Sequence, residues 1–409
     1  MSAAETLVES RYAWTRLAAA LALMTIGGSG MYAVTVVLPR VQTDFGVGRS
    51  DASLPYTFTM IGFGLGGILM GRLSDRYGVM VPVIIGALGL SAGFVAAGTA
   101  GNLWQFNLAQ GLLIGLLGTS ATFAPLVADI SLWFTRRRGI AVAICISGNY
   151  LAGTVWPPLM QHFIDSAGWR QTYIGIGVFC LAAMLPLALV LRRRPPIPEL
   201  PAAGSVANVA GSAGKLGLSP GTLLTLLCVA GVACCVAMSM PQVHIVAYCG
   251  DLGYGPARGA QMLSLMLGFG IVSRLTFGWI SDHIGGLRTL LLGSTLQMIA
   301  LVLFLPFKGL VSLYVVSALF GLFQGGIVPS YALIVREHFR PREAGARVGT
   351  VLMATLFGMA LGGWMSGWIF DLTGSYRAAF VNGIAWNLLN MGIVAALLYR
   401  LRARAAFAG

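Results

Sequence analysis

Arg274 is the only charged residue deep inside an apolar run of this 409-residue chain. It lies in GFGIVSRLTFGWISDHIGG, residues 268–286, with apolar residues on both sides. Placing a guanidinium at membrane depth costs at least about 2.5–3.5 kcal/mol, so such a residue normally faces a partner or a water-filled path. Its planar group binds a carboxylate through two parallel, charge-assisted hydrogen bonds. The residue therefore predicts a site for an organic anion.

A structural ion pair is the alternative interpretation of Arg274. Asp282 follows eight residues later, which at the helical rise is ~12 Å along the axis. That distance is too long for direct pairing, so binding of a substrate is the favoured interpretation.

Other polar residues within apolar runs are secondary candidates. The ordinary pKa of histidine lies near physiological pH, so His244, in PQVHIVAYCGD at 241–251, suits a coupled proton as well as a packed, hydrogen-bonded place. Tyr331 suits a hydrogen bond to the substrate as well as packing. Polar side chains also join helices to one another, and this applies to the remaining candidates, Tyr32, Gln110, Asn149, Tyr150 and Thr355.

No residue pattern in the sequence points to catalysis, a metal or a cofactor. The chain holds no His/Asp/Glu cluster, nucleophile elbow or phosphate-binding loop. Its six cysteines lie in apolar segments without zinc-ligand spacing or a disulfide framework, as expected of small packing residues. We therefore predict a protein that is not an enzyme and that binds neither a metal nor a cofactor.

The composition is that of a membrane protein. Hydrophobic residues make up 57% of the chain and charged residues 10%, against roughly 25% charged residues in a soluble protein. The mean hydropathy is +0.82. A net charge of +13 would suit a nucleic-acid-binding protein if it formed basic clusters on a soluble fold. The arginines instead lie in short gaps between apolar runs, which predicts a lipid bilayer as the surroundings and no nucleic-acid partner.

Twelve apolar stretches are available, most of them reaching the ~20 residues that a helix needs to cross a bilayer. The first is too long for the core of a signal peptide and has no convincing cleavage site. The predicted fold class is an all-α membrane protein with twelve transmembrane helices. Their approximate bounds are 14–40, 52–71, 80–99, 103–129, 138–164, 171–191, 219–249, 258–279, 287–305, 309–335, 346–370 and 377–400.

The basic residues predict the orientation of these helices. With both termini on one side, nineteen of the 26 lysines and arginines fall in the segments of that side and six in the opposite loops, with Arg274 the remaining one. The positive-inside rule then places both termini in the cytoplasm. The short loops fit a carrier in the inner membrane of a bacterium.

The chain also repeats itself at an offset of 207 residues. DFGVG at 44–48 returns as DLGYG at 251–255, and GRLSDRYG at 71–78 returns as GWISDHIG at 278–285. A third pair of segments, DSAGWR and DLTGSYR, matches at an offset of 206 to 207. Three matches at one offset predict two related halves.

Each predicted half holds six helices, residues 1–193 and 218–409. The segment between them, 194–217, is rich in Pro, Gly, Ala and Ser and is predicted to be a flexible cytoplasmic linker. Parallel six-helix halves are typical of secondary transporters, whose substrates bind near the midplane at the interface between the halves.

The segment at 71–78, Gly-x-Leu-Ser-Asp-Arg-x-Gly, resembles the signature loop between helices 2 and 3 of the major facilitator superfamily, and the resemblance extends over residues 14–400. In that loop Asp75 would cap a neighbouring helix or pair with an arginine and so hold the cytoplasmic side closed, with Asp282 doing the same in the second half. The predicted gating residues are Asp75, Arg76, Asp282, and Asp129 with its near neighbour in sequence, Arg136.

Two further segments resemble the monocarboxylate transporters of that superfamily. WFTRRRGIAVAICISG at 133–148 is similar to their helix-5 signature, in which aromatic residues and a basic cluster precede a run of small residues ending in Gly. Arg274 precedes Asp282 in the pattern Arg-x-x-x-Gly-x-x-Ser-Asp. That spacing resembles the surroundings of the substrate-binding arginine in monocarboxylate transporters and in the oxalate:formate antiporter.

The chain lacks several charged residues that these relatives have in their helices. Helix 1 reads GGSGMYAV at 27–34, without the acid common in the family or the lysine of its animal members. Gly270 stands where those members have an aspartate, and Thr355 stands where the oxalate:formate antiporter has a lysine. The resemblance therefore does not extend to the coupling mechanism.

The sequence predicts a monomeric, alternating-access carrier of small monocarboxylates such as lactate-, pyruvate- or acetate-like anions, with protons as an open second partner. One alternative is a superfamily carrier of drugs, osmolytes or di- and tricarboxylates, in which Arg274 is structural. A second is a channel or a sensor on a carrier scaffold, although the chain has no evident polar stripe or soluble output domain.

Overall fold

The computed structural model of the chain describes residues 9–193 and 218–407. Within them, twelve helices are long and apolar enough to cross a membrane, which confirms the predicted fold class. The linker predicted at 194–217 lies outside the described residues. The helices are α1 (Arg11–Gly27 and Ser29–Phe45), α2 (Arg49–Tyr77), α3 (Met80–Gly98), α4 (Leu103–Leu108, a π-helix Ala109–Thr119, and Ala124–Trp133), α5 (Arg138–Ala167), α6 (Trp169–Val190), α7 (Pro220–Asp251), α8 (Pro256–Ile284), α9 (Gly286–Leu303), α10 (Leu310–Gln324 and Ile327–His338), α11 (Pro341–Thr373) and α12 (Tyr376–Phe407).

The chain forms two compact units. The first comprises Met1–Val47 with Ala52–Val206, and the second Gly48–Asp51 with Ala207–Gly409. Helices α1–α6 thus belong to the first unit and α7–α12 to the second, except that the first residues of α2 pack with the second unit.

Large apolar side chains face outward along these helices. Trp104 and Trp279, for example, are 66% and 65% exposed. Apolar surface on this scale is stable against lipid rather than water. The chain is therefore an integral membrane protein.

Two helices run further than their apolar cores. Nearly all of the repeated segments at 71–78 and 278–285 lie within α2 and α8, where they form the last two turns. The prediction of a loop at these segments is wrong, because a helix continues as long as its backbone hydrogen bonds do. Gly78 (φ +87°) and Gly285 (φ +81°) end the two helices, since glycine adopts a left-handed backbone without steric cost.

Glycines bring helices into backbone contact inside each unit. Between α1 and α5 of the first unit, a Cβ on Gly148 would lie 2.9 Å from the Cβ of Met24. Between α8 and α10 of the second, a Cβ on Gly325 would lie 2.8 Å from the Cβ of Ser273. Small residues permit this close approach of membrane helices, and the tight contacts fix the helix positions.

Helices α4 and α10, which correspond to each other in the repeat, are both interrupted. The first passes through the π-helix and leaves helical structure at Thr122 and Phe123, and the second breaks at Gly325 and Gly326. Hydropathy alone predicts both as continuous. Interruptions at similar positions in two halves are typical of the binding regions of carriers, because the ends of half-helices expose backbone groups there.

Candidate functional site

Arg274 lies in the middle third of α8. It follows Pro256 by 18 residues and precedes Ile284 by ten, about 27 Å and 15 Å along the axis. The residue is half-buried, and its Nε and Nη1 atoms are shielded from solvent. It takes part in an interaction within the described residues. The guanidinium is therefore far from both ends of its helix.

Helix α10 contacts α8 on both sides of Arg274. Gly321 lies against Met266, and Gly326 lies against Phe277, so closely that a Cβ on either glycine would overlap those atoms. The break in α10 is thus next to the turn that bears the arginine. These close contacts hold the turn of α8 that bears Arg274 against α10.

His244 is fully buried in α7, seven residues before Asp251 at its end. Its Nε2 lies 2.8 Å from the carbonyl oxygen of Gly363, and its Nδ1 lies 3.0 Å from the hydroxyl of Tyr376. A carbonyl only accepts hydrogen bonds, so Nε2 carries the proton and donates it. In the neutral ring, Nδ1 then accepts from the Tyr376 hydroxyl, and the two partners fix which nitrogen carries the proton.

Arg49, the first residue of α2, belongs to the second unit and joins the same hydrogen-bond chain. Its Nη1 donates to the Tyr376 hydroxyl at 2.9 Å and its Nη2 to Asp251 at 3.1 Å. The Asp371 carboxylate accepts from the backbone N–H groups of Arg49 and Ser50, both at 2.7 Å. These last bonds satisfy donors that the start of a helix leaves free. The residues Arg49, His244, Asp251, Asp371 and Tyr376 are called the His244 cluster below.

A cavity of about 180 Å³ lies beside this cluster. Asp251 and Tyr376 line it together with two basic residues, Lys308 and Arg377. Tyr376 therefore borders the cavity and also contacts His244. In the part of the chain that the structure describes, no three His, Cys, Asp or Glu side chains form a group that could hold a metal ion.

Sequence reasoning identified only His244 in this cluster. Asp251 and Asp371 belong to segments that recur in the repeat, and this recurrence could have identified them as candidates. Arg49 gave no signal, because its bond to Tyr376 joins residues 327 positions apart.

Tyr331 and Thr355 contact neighbouring groups of the second unit. The fully buried Tyr331 donates its hydroxyl hydrogen to Oδ1 of Asn390 at 2.9 Å. Thr355 is also buried, and its hydroxyl donates to the carbonyl of Leu352 in its own helix at 2.7 Å. Contact of either residue with a substrate stays a prediction.

Three candidates lie in the first unit. Tyr32 and Tyr150 are buried and have interactions within the described residues. Asn149 is half-buried, and its Oδ1 lies 3.5 Å from the position of a Cβ on Gly28, where α1 is interrupted. Asn149 thus belongs to the contact between α1 and α5, and a place in the substrate path stays a prediction for all three.

The predicted gating carboxylates, Asp75 and Asp282, are exposed on the last turns of α2 and α8. Neither forms an ion pair within residues 9–193 and 218–407. Glu337, rather than Asp282, caps the start of α9, since its Oε1 accepts from the N–H of Gly286 at 3.1 Å. Arg76 is also exposed, and the gating role of all these residues stays a prediction.

Asp129 pairs with Arg16 and not with Arg136, its neighbour in sequence. The Nε and Nη2 atoms of Arg16 donate to the two carboxylate oxygens at 2.7 and 2.8 Å. Nη1 donates to the Tyr12 hydroxyl at 3.1 Å, and the guanidinium lies 4.6 Å from the centre of the Trp133 ring. Arg136 is exposed.

This pair places two further charges in the interior of the first unit, which the apolar runs alone did not predict. Arg16 is 0% and Asp129 5% exposed. Arg16 lies at the start of the first apolar run, where basic residues at the membrane surface are common, and its partner is 113 residues away.

Comparison with known proteins assigns the fold, with its twelve membrane-crossing helices in the described residues, to a class of transporters. A sequence model of the Major Facilitator Superfamily matches residues 18–313 and 275–407. The chain belongs to this superfamily of transporters.

Among similar proteins, "Monocarboxylate transporter 13" of Rattus norvegicus is 28% identical over 354 residues, 85% of this chain and 78% of the relative. "MFS-type transporter opdF" of Penicillium oxalicum is 27% identical over 95% of this chain and 91% of its own. The predicted resemblance to the monocarboxylate transporter branch is confirmed. A crystal structure of a bacterial homolog of the human lysosomal transporter Spinster, inward-facing and unoccupied, has a TM-score of 0.68 at 15% identity over 96% of both chains, and this likeness concerns the fold.

Proposed function

We propose that the protein transports small monocarboxylates, such as lactate-, pyruvate- or acetate-like anions, by alternating access. The observation that carries the proposal is Arg274, half-buried in the middle of α8 beside the break in α10. A guanidinium there offers one carboxylate a bidentate contact that water screens little. A relative named as a monocarboxylate transporter, similar over most of the chain, supports the substrate class.

Charge balance determines which acids are preferred. One arginine neutralises one carboxylate, which leaves a nearly neutral complex for passage through an apolar region. A dicarboxylate brings an unpaired second charge, whose desolvation costs several kcal/mol. The carrier is therefore proposed to prefer monocarboxylates over oxalate- or malonate-like dianions.

The proposed location is the inner membrane of a bacterium, with the protein as a monomer and both termini in the cytoplasm. The excess of basic residues on one side supports this orientation. In it, the His244 cluster lies towards the outside, while Asp75 and Asp282 lie towards the cytoplasm.

Protons are the proposed coupling ion, with His244 as the group that binds them. Its neutral imidazole has one nitrogen, Nδ1, that accepts a proton when the Tyr376 hydroxyl rearranges. The competing possibility is that the substrate crosses as the protonated acid, without a protein group that titrates.

Flux of labelled acids in proteoliposomes tests the substrate class. The unmodified protein is expected to move pyruvate or acetate at least tenfold faster than oxalate or malonate, and Arg274→Ala to abolish this flux. Arg258→Gln is the matched control, because Arg258 is exposed on the same helix. Full activity of Arg274→Ala, or equal flux of mono- and dicarboxylates, would contradict the proposal and favour a carrier of drugs or osmolytes in which Arg274 is structural.

A further inference from the structure

We propose that Tyr376 passes protons from the 180 Å³ cavity to His244, and that Arg49 controls whether His244 keeps the proton. Tyr376 is the one member of the His244 cluster that both borders the cavity and bonds to the imidazole. His244 itself is fully buried, so a proton reaches it through a neighbour. The inference deepens the proposed proton coupling and rests on the proposed function only for its transport measurement.

The tyrosine hydroxyl is regenerated by the transfer. A hydronium ion in the cavity donates a proton to the Tyr376 oxygen, while the proton of the same hydroxyl moves across the 3.0 Å hydrogen bond to Nδ1 of His244. Two O–H bonds break, one in the hydronium ion and one in the tyrosine, and one O–H and one N–H bond form, leaving a water molecule in the cavity. The imidazole gains one positive charge, and Nε2 keeps its bond to the carbonyl of Gly363.

The gained charge acts directly on Arg49. Nδ1–H of the imidazolium must now donate to the Tyr376 oxygen, which already accepts from Nη1 of Arg49 at 2.9 Å. Two cationic donors then share one phenol oxygen, and their repulsion weakens the bond to Arg49. The titratable and charged groups around the imidazole are Arg49 from the start of α2, Asp371 from α11, Tyr376 from α12, and Tyr248 and Asp251 from α7 itself.

The two carboxylates keep the arginine from leaving altogether. Asp251 holds its side chain, and Asp371 holds its backbone N–H together with that of Ser50. Protonation of His244 thus loosens one of the bonds that hold the first turn of α2 against the other helices of the second unit. Proton binding and movement of this turn are linked by a single shared hydroxyl, on Tyr376.

Transport in proteoliposomes tests the relay. The measured quantity is the ratio of pyruvate uptake driven by an inward proton gradient to pyruvate exchange at equal pH. The ratio is expected to fall at least tenfold in His244→Gln and in Tyr376→Phe. It is expected to stay within twofold in His162→Gln, an exposed histidine, and in Tyr399→Phe, a tyrosine on the same helix as Tyr376 that is 75% exposed. An unchanged ratio in Tyr376→Phe would overturn the relay.

The pH profile tests the role of Arg49. In Arg49→Gln the pH of half-maximal gradient-driven uptake is expected to move upward by about one unit, because a cation facing the imidazole is removed. Arg258→Gln, which removes an exposed arginine, is expected to leave the profile in place. A profile unchanged by Arg49→Gln would overturn control by this residue.

Nitrogen NMR of histidine-labelled protein separates the inference from the proposed function. With the other three histidines replaced by Gln, the spectrum reports protonation of His244 without any substrate. Failure of Arg274→Ala to alter flux would remove the carboxylate assignment and leave the titration of His244 intact. Absence of any protonation over the pH range of transport would overturn the inference whatever the substrate is.

Discussion

The two six-helix units present equivalent helices at an offset of 207 residues, but they differ at the positions of the two main candidates. Arg274 in the second unit corresponds to Gly67 in the first, and His244 corresponds to Val37. A Cβ on Gly67 would meet no atom within 4 Å, and Val37 is a fully buried apolar residue. The candidate site residues therefore lie where the repeat is broken.

The placement of glycines explains how the second unit accommodates an arginine. In the first unit, α2 itself supplies Gly62 and Gly66 to the backbone of α4. The corresponding residues of α8 are Phe269 and Ser273, and here α10 supplies the glycine, Gly325. Because α10 provides the small residue, α8 bears larger side chains beside the contact and Arg274 next to them.

The aspartates that recur at 44 and 251 show a second difference. Asp44 accepts a hydrogen bond from the indole Nε1 of Trp169 at 2.6 Å. Asp251 accepts from Arg49, and the residue equivalent to Trp169 is Tyr376. A single hydrogen bond between Trp169 and Asp44 in the first unit thus corresponds, in the second, to the chain of hydrogen bonds of the His244 cluster. The repeat thus extends to the helices, and the two candidates proposed to bind substrate and proton lie where it is broken.

A large fall in transport rate is expected from Arg274→Lys. A lysine keeps the charge and loses the planar fork, so one of two hydrogen bonds to the carboxylate is missing. We expect the initial rate of pyruvate uptake to fall on the order of 100-fold, which corresponds to the lower part of the ~2–5 kcal/mol range for a truncated buried charge pair. Arg288→Lys, at an exposed position on α9, is the control. Equal uptake rates for the two variants would mean that Arg274 does not bind the carboxylate, and the proposed difference between the units would be lost.

The buried pair of the first unit is expected to act on stability. Arg16→Ala leaves the Asp129 carboxylate buried without its partner, which costs about 3–5 kcal/mol in the free energy of unfolding. The double variant Arg16→Leu/Asp129→Leu is expected to recover most of that loss, because no charge remains buried. Unfolding by denaturant in detergent micelles measures the free energy of unfolding of both variants. Equal losses for the single and double variants would contradict the idea that the loss comes from a buried charge without its partner.

Replacing a glycine by alanine is expected to change the free energy of unfolding differently in the two units. Gly325→Ala places a Cβ into the carbonyl of Gly270, and such overpacking costs about 1–3 kcal/mol. Gly67→Ala meets open space and is expected to change the free energy of unfolding by less than about 0.5 kcal/mol. A destabilising Gly67→Ala would show that the open position in the first unit is needed for packing.

A change in turnover without a change in affinity is expected from Asp75→Asn. The residue is exposed at the end of α2, far along the helix from the open position at Gly67. Maximal uptake rate is expected to fall a few-fold while the half-saturating concentration stays within twofold, since a gate is altered and the site is not. Asp282→Asn should behave alike in the second unit, and weakened substrate binding in either variant would speak against gating.

The smallest effect concerns Glu9. Its Oε1 accepts from the N–H of Arg137 at 2.8 Å, and this hydrogen bond lowers the pKa of the carboxyl below its ordinary value of 4.5. The bond therefore stabilises the fold above pH 4.5, and the contribution is lost as the pH falls through the lowered pKa. The unfolding temperature of Glu9→Gln is expected to lie slightly below that of the unmodified protein at neutral pH and to meet it in acid. A difference that does not depend on pH would exclude the carboxylate as its cause.

Hydropathy was sufficient to predict the number and order of the helices, because a bilayer requires long apolar runs whatever the tertiary structure is. It did not predict the extra turns of α2 or the breaks in α4 and α10. Those features depend on backbone hydrogen bonds and on glycine contacts between helices, which leave no mark on an average over apolar residues.

The candidate site was predictable in part for a similar reason. Arg274 and His244 are conspicuous because charged and titratable groups are rare in apolar runs. Arg49 and Arg16 lie near the starts of helices, where basic residues are common, and their partners are 327 and 113 positions away. Only tertiary structure distinguishes these two from arginines at the membrane surface.

The pairing of Arg16 with Asp129 has a consequence for the order in which the chain enters the membrane. The ribosome delivers the first helix 113 residues before the carboxylate that neutralises it. Until then, the arginine in that helix has no carboxylate partner, and its charge opposes burial in the bilayer. The first helix is expected to take its final place in the bilayer only when the fourth helix has been made. In nascent chains that stop before Asp129, the start of the first helix should therefore be accessible to chemical labelling. In chains that extend past Trp133 it should be protected.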